Sequence, residues 1–168
     1  MVSGLPGSGK STVARPLADV LGLPLIVKDT IKESLWDTLG PGDLAWSRRL
    51  GAAAAETFWR VAGDAGTGVL DNFFHRAFAH RLEALPGPVI EVHCTCASDI
   101  ARDRYATRRR HPCHFDLANL ARFDDWVRTD AGPIALGGPL LVVDTSLAID
   151  MDAIITWVIA QIEIPAAP

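Results

Sequence analysis

The run Gly4-Leu-Pro-Gly-Ser-Gly-Lys-Ser11 constrains this chain more than any other part of it. It follows the pattern G-x-x-x-x-G-K-S/T and leads directly into helical periodicity, Thr12 to Leu21. Glycines at that spacing let several backbone N–H groups converge on one point, and the following helix adds the positive end of its dipole there. Such a loop holds an anion, and phosphate oxygens match it best. The pattern assigns Gly4, Gly7, Ser8, Gly9, Lys10, Ser11 and Thr12 to the phosphate site, with Lys10 reaching the outer phosphates and the Ser11 hydroxyl available to Mg²⁺. A glycine-rich turn that merely starts a helix is the alternative. The scarcity of lysine argues against it, because Lys10, Lys28 and Lys32 are the only lysines among 16 basic residues.

The remainder of the chain supplies alternating short apolar runs and longer helical patterns. Leu23 to Val27, Gly68 to Asn72, Val89 to Cys94 and Leu140 to Asp144 are bounded by Gly, Pro or Asp, as buried parallel strands are. Helical periodicity covers Lys10 to Leu21, Thr30 to Leu39, Leu44 to Ala62, His75 to Leu85, Ser98 to Arg109, Leu117 to Val127 and Met151 to Ile162. The alternation predicts an α/β fold, a parallel sheet of about five strands flanked by helices, with ligands beyond the carboxyl ends of the strands. A strand is expected before Gly4, yet only Met1, Val2 and Ser3 precede it. That strand is either very short or lacks residues at its start.

With 168 residues and no repeat or low-complexity linker, a single domain over residues 1–168 is expected. No apolar run approaches the ~18 residues that span a bilayer, no secretory signal is evident, and three cysteines suit a reducing compartment. A cytoplasmic protein without membrane contact, monomeric or homodimeric, is the expectation. A net charge of −4 argues mildly against a partner such as nucleic acid.

Acidic residues fall where the fold class puts chemistry. Asp29 lies just past the second apolar run, where a carboxylate can accept a proton from a hydroxyl, or simply cap the helix that follows. Lys32 stands one helical turn on and can hold an acceptor or the transferred phosphoryl group. Asp71 ends the third run, the place from which a carboxylate serves a magnesium shell, with a turn residue as the plainer reading.

On GLPGSGKST, VKDTIKESL, GVLDN, a late Arg-rich segment and LLVVDTS, the chain resembles the small P-loop kinases. These include gluconate and shikimate kinases, chloramphenicol phosphotransferase, the polynucleotide kinase domain and predicted kinases of the AAA-like group. The resemblance implies a P-loop NTPase fold with a helical lid near residues 102–128, and ATP and Mg²⁺ as cofactors. It also implies Asp29 as general base, and arginines brought by the lid over the phosphates. Arg102, Arg104, Arg108, Arg109 and Arg110 cluster there; Arg104 and Arg108 are expected at the transferring phosphoryl group and Arg110 at the nucleotide. A solvated basic helix end explains the cluster without catalysis.

The implied activity is transfer of the γ-phosphoryl group of ATP to a hydroxyl of a small molecule. A 5′-hydroxyl polynucleotide kinase is the runner-up, although Lys32 stands where that kinase has Arg. A nucleotide-binding switch that is not a kinase is the reading from another class. Trp36, Arg48 and Arg49 are candidate acceptor contacts, with core packing or a solvated face as alternatives. His93, Cys94 and Cys96, and His111, Cys113 and His114, form two groups with nitrogen and sulfur ligands. Their spacings match no established zinc pattern, and a lid hinge or substrate contact suits the histidines better.

Overall fold

The computed structural model describes residues 1–163. Five parallel strands form one sheet: β1 (Val2–Ser3), β2 (Leu25–Val27), β3 (Val69–Asp71), β4 (Glu91–Thr95) and β5 (Leu140–Asp144). Their spatial order is β2-β3-β1-β4-β5. Val2 pairs with both Asp71 and Val92, and Ser3 with His93, so these two residues lie in the middle of the sheet.

The helices are α1 (Lys10–Leu21), α2 (Lys28–Leu39), α3 (Leu44–Ala65), α4 (Ala79–Glu83), α5 (Ser98–Thr107), α6 (Asp116–Asn119), α7 (Phe123–Asp130) and α8 (Met151–Glu163). Strand residues alternate between two apolar layers because successive side chains leave opposite faces. Val2, Val69 and Val92 pack with Val13 and Leu17 of α1 and Ile154 and Val158 of α8. Ile26 and Leu70 pack on the opposite face with Phe58 and Ala62 of α3 and Leu82 of α4. Two smaller clusters lie off the sheet: Trp36 and Leu50 with Cys113, and Ala101 and Tyr105 with Phe123. Among the described residues no helix is long and apolar enough to cross a membrane.

Several boundaries differ from those expected, for identifiable reasons. β2 starts at Leu25 because Pro24 has no N–H to give the ladder, while the Pro24 carbonyl accepts from Val69 N at 2.9 Å. α3 is capped by Asp43, which accepts from Trp46 N at 2.8 Å, and runs three residues beyond Ala62 to Ala65. The expected helix from Leu117 to Val127 is two short helices joined by a 3₁₀ turn, Leu120–Arg122, and His75 to Leu85 is likewise a 3₁₀ turn followed by α4. Within the lid segment Phe115 stands at φ 51°, a left-handed conformation that side chains rarely adopt.

Candidate active site

The glycine-rich loop joins the central strand to α1 and is wedged between β4 and α5. A Cβ on Gly4 would lie 2.2 Å from the Cys94 carbonyl oxygen, and one on Gly7 would lie 2.1 Å from that of Ala101. Glycine at these positions lets the loop lie flat on the sheet edge, with Gly7 at φ 86°. α1 begins after Gly9 with no side-chain cap and no acidic residue in its first turn, so its N–H groups and dipole are uncompensated by the chain itself. Thr12 follows in that turn, exposed. Lys10 Nζ donates to the Leu5 carbonyl at 2.8 Å, and burial pushes its pKa down, although Asp71 opposes this.

Ser11 Oγ donates to Asp71 Oδ2 at 2.6 Å, joining the loop to the end of β3. Burial pushes the Asp71 carboxyl up, with the Ser11 hydrogen bond and Lys10 offsetting part of it. Register places Asp71 beside Val27, so α2, which follows Val27 immediately, starts at the same level. This has a consequence for Asp29. α2 begins at Lys28 with Val27 as its N-cap, so Asp29 lies within the first turn, and the capping role is excluded. Its Oδ2 accepts from Arg110 at 2.5 Å and its Oδ1 from Lys28 at 3.3 Å, while His114 Nδ1 is 4.0 Å from Oδ1. Burial alone would raise this carboxyl. The charges of Lys28, Arg110 and His114 outweigh it and hold Asp29 well below the usual carboxylate range. The two site carboxyls are therefore displaced in opposite directions.

Asp29, Asp71, Lys10 and Ser11 open onto one cleft of about 570 Å³, bounded by α2, α3, the segment after β3 and the lid. Lys32, Arg48, Arg108 and Arg110 also line it. Lys32 is buried, donates to Ser47 Oγ at 2.9 Å, and Ser47 Oγ in turn donates to the Cys113 carbonyl at 2.5 Å. This relay ties the lid to α2 and α3, and burial, followed by the charge of Lys28, pushes the Lys32 pKa down.

The lid arginines separate into distinct roles. Arg108 and Arg110 share Asp116: Arg108 at 3.1 and 3.2 Å, Arg110 at 2.7 and 2.7 Å. The Arg108 guanidinium also lies 4.3 Å from the Tyr105 ring centroid. Arg104, expected over the transferring group, instead donates to the Thr145 carbonyl at 3.1 Å, and Thr145 Oγ1 donates to the Ser8 carbonyl at 2.8 Å. Arg104 thus fastens α5 to the loop after β5, beside the glycine-rich loop. Arg102 is paired with Asp124 at 2.5 Å.

Three expected acceptor contacts divide as well. Arg48 lines the cleft. Arg49 reaches back over the Trp46 ring at 5.2 Å. Trp36 is a correction: it is buried in the cluster of Leu50 and Cys113, edge-on to His111 and Phe115 at 6.5 and 6.0 Å, and does not line the cleft. Its position in α2 carries the ring toward the lid turn. The two histidine–cysteine groups are also drawn apart. His93 meets Ser3 Oγ and the Ala131 carbonyl, His111 meets Asp37, and His114 meets Glu33. Among the described residues no three His, Cys, Asp or Glu side chains converge on a metal position.

Sequence reasoning missed Asp116, Thr145 as an anchor, and His75 on the cleft wall, held from behind by Asp130. Asp116 had a weak signal: it is the first acid after five clustered arginines.

A parallel sheet in this order, with an anion loop between its central strand and the first helix, is the P-loop kinase fold. The chain belongs to the AAA_33 family, whose model, described as an AAA domain, matches residues 1–129. A protein of Chloroflexus aurantiacus, provisionally described as a kinase, shares 35% identity over 95% of each chain, with a TM-score of 0.81. A shikimate kinase of Bacteroides thetaiotaomicron shares the fold at 13% identity and a TM-score of 0.60, covering 97% of each chain. A sugar kinase of Janibacter does so at 18% and 0.59, covering 98% of this chain and 93% of that one. An uncharacterized protein of Mycobacterium tuberculosis is 32% identical over 124 residues, 64% of this chain, and the chain spans 25% of that relative's length.

Proposed function

We propose that this protein is an ATP-dependent kinase that transfers the γ-phosphoryl group to a hydroxyl of a small molecule. The observation that carries the proposal is the shared cleft: an ionised, hydrogen-bonded carboxylate, Asp29, faces the same space as Lys10 and the Ser11–Asp71 pair. The relatives described as kinases support it.

The residues fit ATP with Mg²⁺. Ser8 Oγ is buried in the loop without a hydrogen-bond partner, the N–H groups starting α1 lack a cap, and Asp71 is a desolvated carboxyl that positive charge would relieve. Bound there, Mg·ATP supplies the phosphoryl group and neutralises charge as it moves to the leaving ADP. Backbone N–H groups of Gly7 to Ser11 and Lys10 hold the phosphates, and Ser11 and Asp71 hold the metal. Asp29 receives the hydroxyl proton as the acceptor O–P bond forms and the bond from the γ-phosphorus to the bridging oxygen breaks. Arg110 occupies Oδ2, so Oδ1, with its longer contact to Lys28, is the oxygen that takes the proton. A depressed pKa makes Asp29 a weak base. A loose phosphoryl-transfer transition state asks little of the base beyond orienting the hydroxyl.

The test is ATP consumption by the purified protein across a panel of hydroxyl compounds, beside the Asp29→Asn variant. A kinase shows acceptor-dependent consumption that falls at least ~100-fold in the variant while ATP binding persists. Consumption that no hydroxyl compound raises above the hydrolytic background would overturn the proposal.

A further inference from the structure

The cleft wall beyond the reacting groups differs in chemistry from the end that holds Asp29. Trp59, Phe73, His75, Phe78 and Trp126 all line it, brought from α3, the segment after β3 and α7. Four of these rings form a continuous surface: Phe73 lies 4.2 Å from His75 and 5.5 Å from Trp126, and His75 lies 6.3 Å from Phe78, all centroid to centroid. Phe78 is 52% exposed, a large apolar ring held in water at the cleft edge. Most exposed hydrophobic residues need no explanation, but one continuous with an aromatic-lined cavity reads as a contact surface.

One polar atom on this wall is oriented. Asp130 is 6% exposed and accepts from Arg76 N at 2.8 Å, Thr129 Oγ1 at 2.7 Å and His75 Nδ1 at 3.0 Å. Backbone N–H, hydroxyl and burial geometry leave this carboxylate an acceptor throughout, which makes His75 Nδ1 the donor and fixes the ring. His75 Nε2 has no hydrogen-bond partner among the described residues. Trp126 Nε1 is also a buried donor without a partner. The aromatic stretch therefore offers broad flat apolar contact, and the charged groups lining the cleft beside it are engaged, Arg81 with Glu56 and Arg122 over the Trp126 ring at 5.7 Å.

From this we infer that the acceptor is a hydroxyl compound with a flat apolar body, an aryl alcohol in chemical class, rather than a polyol. The flat body packs on Phe73, Phe78 and Trp126, and a polar substituent on it meets His75 Nε2. A polyol laid against these rings would bury hydroxyls that the ring faces cannot pair, and unpaired buried polar groups discriminate strongly. The inference rests on the kinase reading, because it assigns this space to the acceptor.

The experiment measures binding and turnover separately. Probes are 3-phenylpropane-1,2-diol, 3-(4-hydroxyphenyl)propane-1,2-diol, glycerol and glucose, titrated calorimetrically with a non-hydrolysable ATP analogue present, and then assayed for ATP consumption. The aryl diols are expected to bind at least ~10-fold tighter than glycerol or glucose, and Phe78→Ala to remove that advantage without changing affinity for the ATP analogue. Phe78 is half exposed, so this variant is expected to keep the fold, which an unchanged Tm checks. The 4-hydroxyl compound is expected to bind more tightly than its phenyl counterpart in the wild type and equally in His75→Ala. Consumption driven by glucose or glycerol, with aryl diols neither binding nor reacting, overturns the inference and leaves the kinase reading standing. Aryl-diol binding that Phe78→Ala abolishes, with no compound raising consumption, supports the aromatic ligand site and overturns the kinase reading. Equal binding of all four probes, or of none, overturns the inference.

Discussion

Replacing Asp116 by Asn tests the lid where its charges meet. Asp116 receives four hydrogen bonds from Arg108 and Arg110, at 3.1, 3.2, 2.7 and 2.7 Å, with its own side chain 13% exposed. Burial works against its ionisation, but the hydrogen bonds from Arg110 and Arg108 win, and its pKa drops from 3.8 to about 2. At ~1.4 kcal/mol per pH unit, that separation contributes about 2 kcal/mol to folding. The sign follows from the direction: the contribution is complete above the unfolded value of 3.8 and is lost as pH falls through about 2. Asp116→Asn keeps the shape and removes the charge. Urea unfolding at pH 7 is expected to show the variant about 2 kcal/mol less stable, or roughly 4–8 °C lower in Tm for a chain of this size. The difference should hold from pH 7 down to about 4 and narrow only below that, toward pH 2, because only the wild type loses an ionised partner. A difference below ~0.5 kcal/mol at pH 7, or one that stays constant down to about pH 2, would refute the pairing as the source of lid stability.

Lys10→Met is expected to weaken binding of an ATP analogue at least ~10-fold by calorimetry, with no fall in Tm, since burial already disfavours the charge being removed. For Asp71→Asn, the Mg²⁺ concentration giving half-maximal turnover should rise roughly tenfold, which a magnesium titration at saturating ATP reads directly. Glu91→Gln should cost about 2–3 kcal/mol in urea unfolding: the buried carboxylate accepts from Ser3 Oγ, Ile134 N and Ala135 N, and an amide donor cannot replace it toward all three. A loss under ~1 kcal/mol would show that the amide finds other partners.

What could be read in advance follows the range over which each feature is determined. The glycine-rich loop, the strand at Leu140–Asp144 and the helices α1 and α8 are local patterns with flanking turn residues, and each lies where the periodicity places it. Even the two-residue strand β1 was implied, because an anion loop of this kind must follow a strand. Features set by distant partners were not readable. The lid reads as one amphipathic helix from Leu117, yet Phe123 and Trp126 must turn onto Tyr105, and that packing breaks the run into short pieces. Trp36 carries the signature of a binding-site aromatic, and only the fold shows that the lid turn, with Cys113 and Phe115, covers it.

The arginine cluster shows the same limit in electrostatic terms. Five guanidinium groups within nine residues read as a strongly positive lid, but Arg102 is matched by Asp124, and Arg108 and Arg110 share Asp116. Positive charge toward an anion in the loop therefore falls mainly to Lys10 and the uncapped start of α1. Arg110 acts differently: it spans 81 positions in sequence to reach Asp29, holding one carboxylate oxygen while Asp116 holds the arginine. An acid on the lid, an arginine beside it and an acid on α2 thus form one chain, in which the lid conformation sets the orientation and the acidity of the group proposed to meet the acceptor hydroxyl. Asp116→Asn removes the anchor that holds Arg110 against Asp29 and should for that reason loosen the orientation of that carboxylate. The expected kinetic signature is a fall in kcat with acceptor KM little changed, and the reverse pattern would place Arg110 on the acceptor instead.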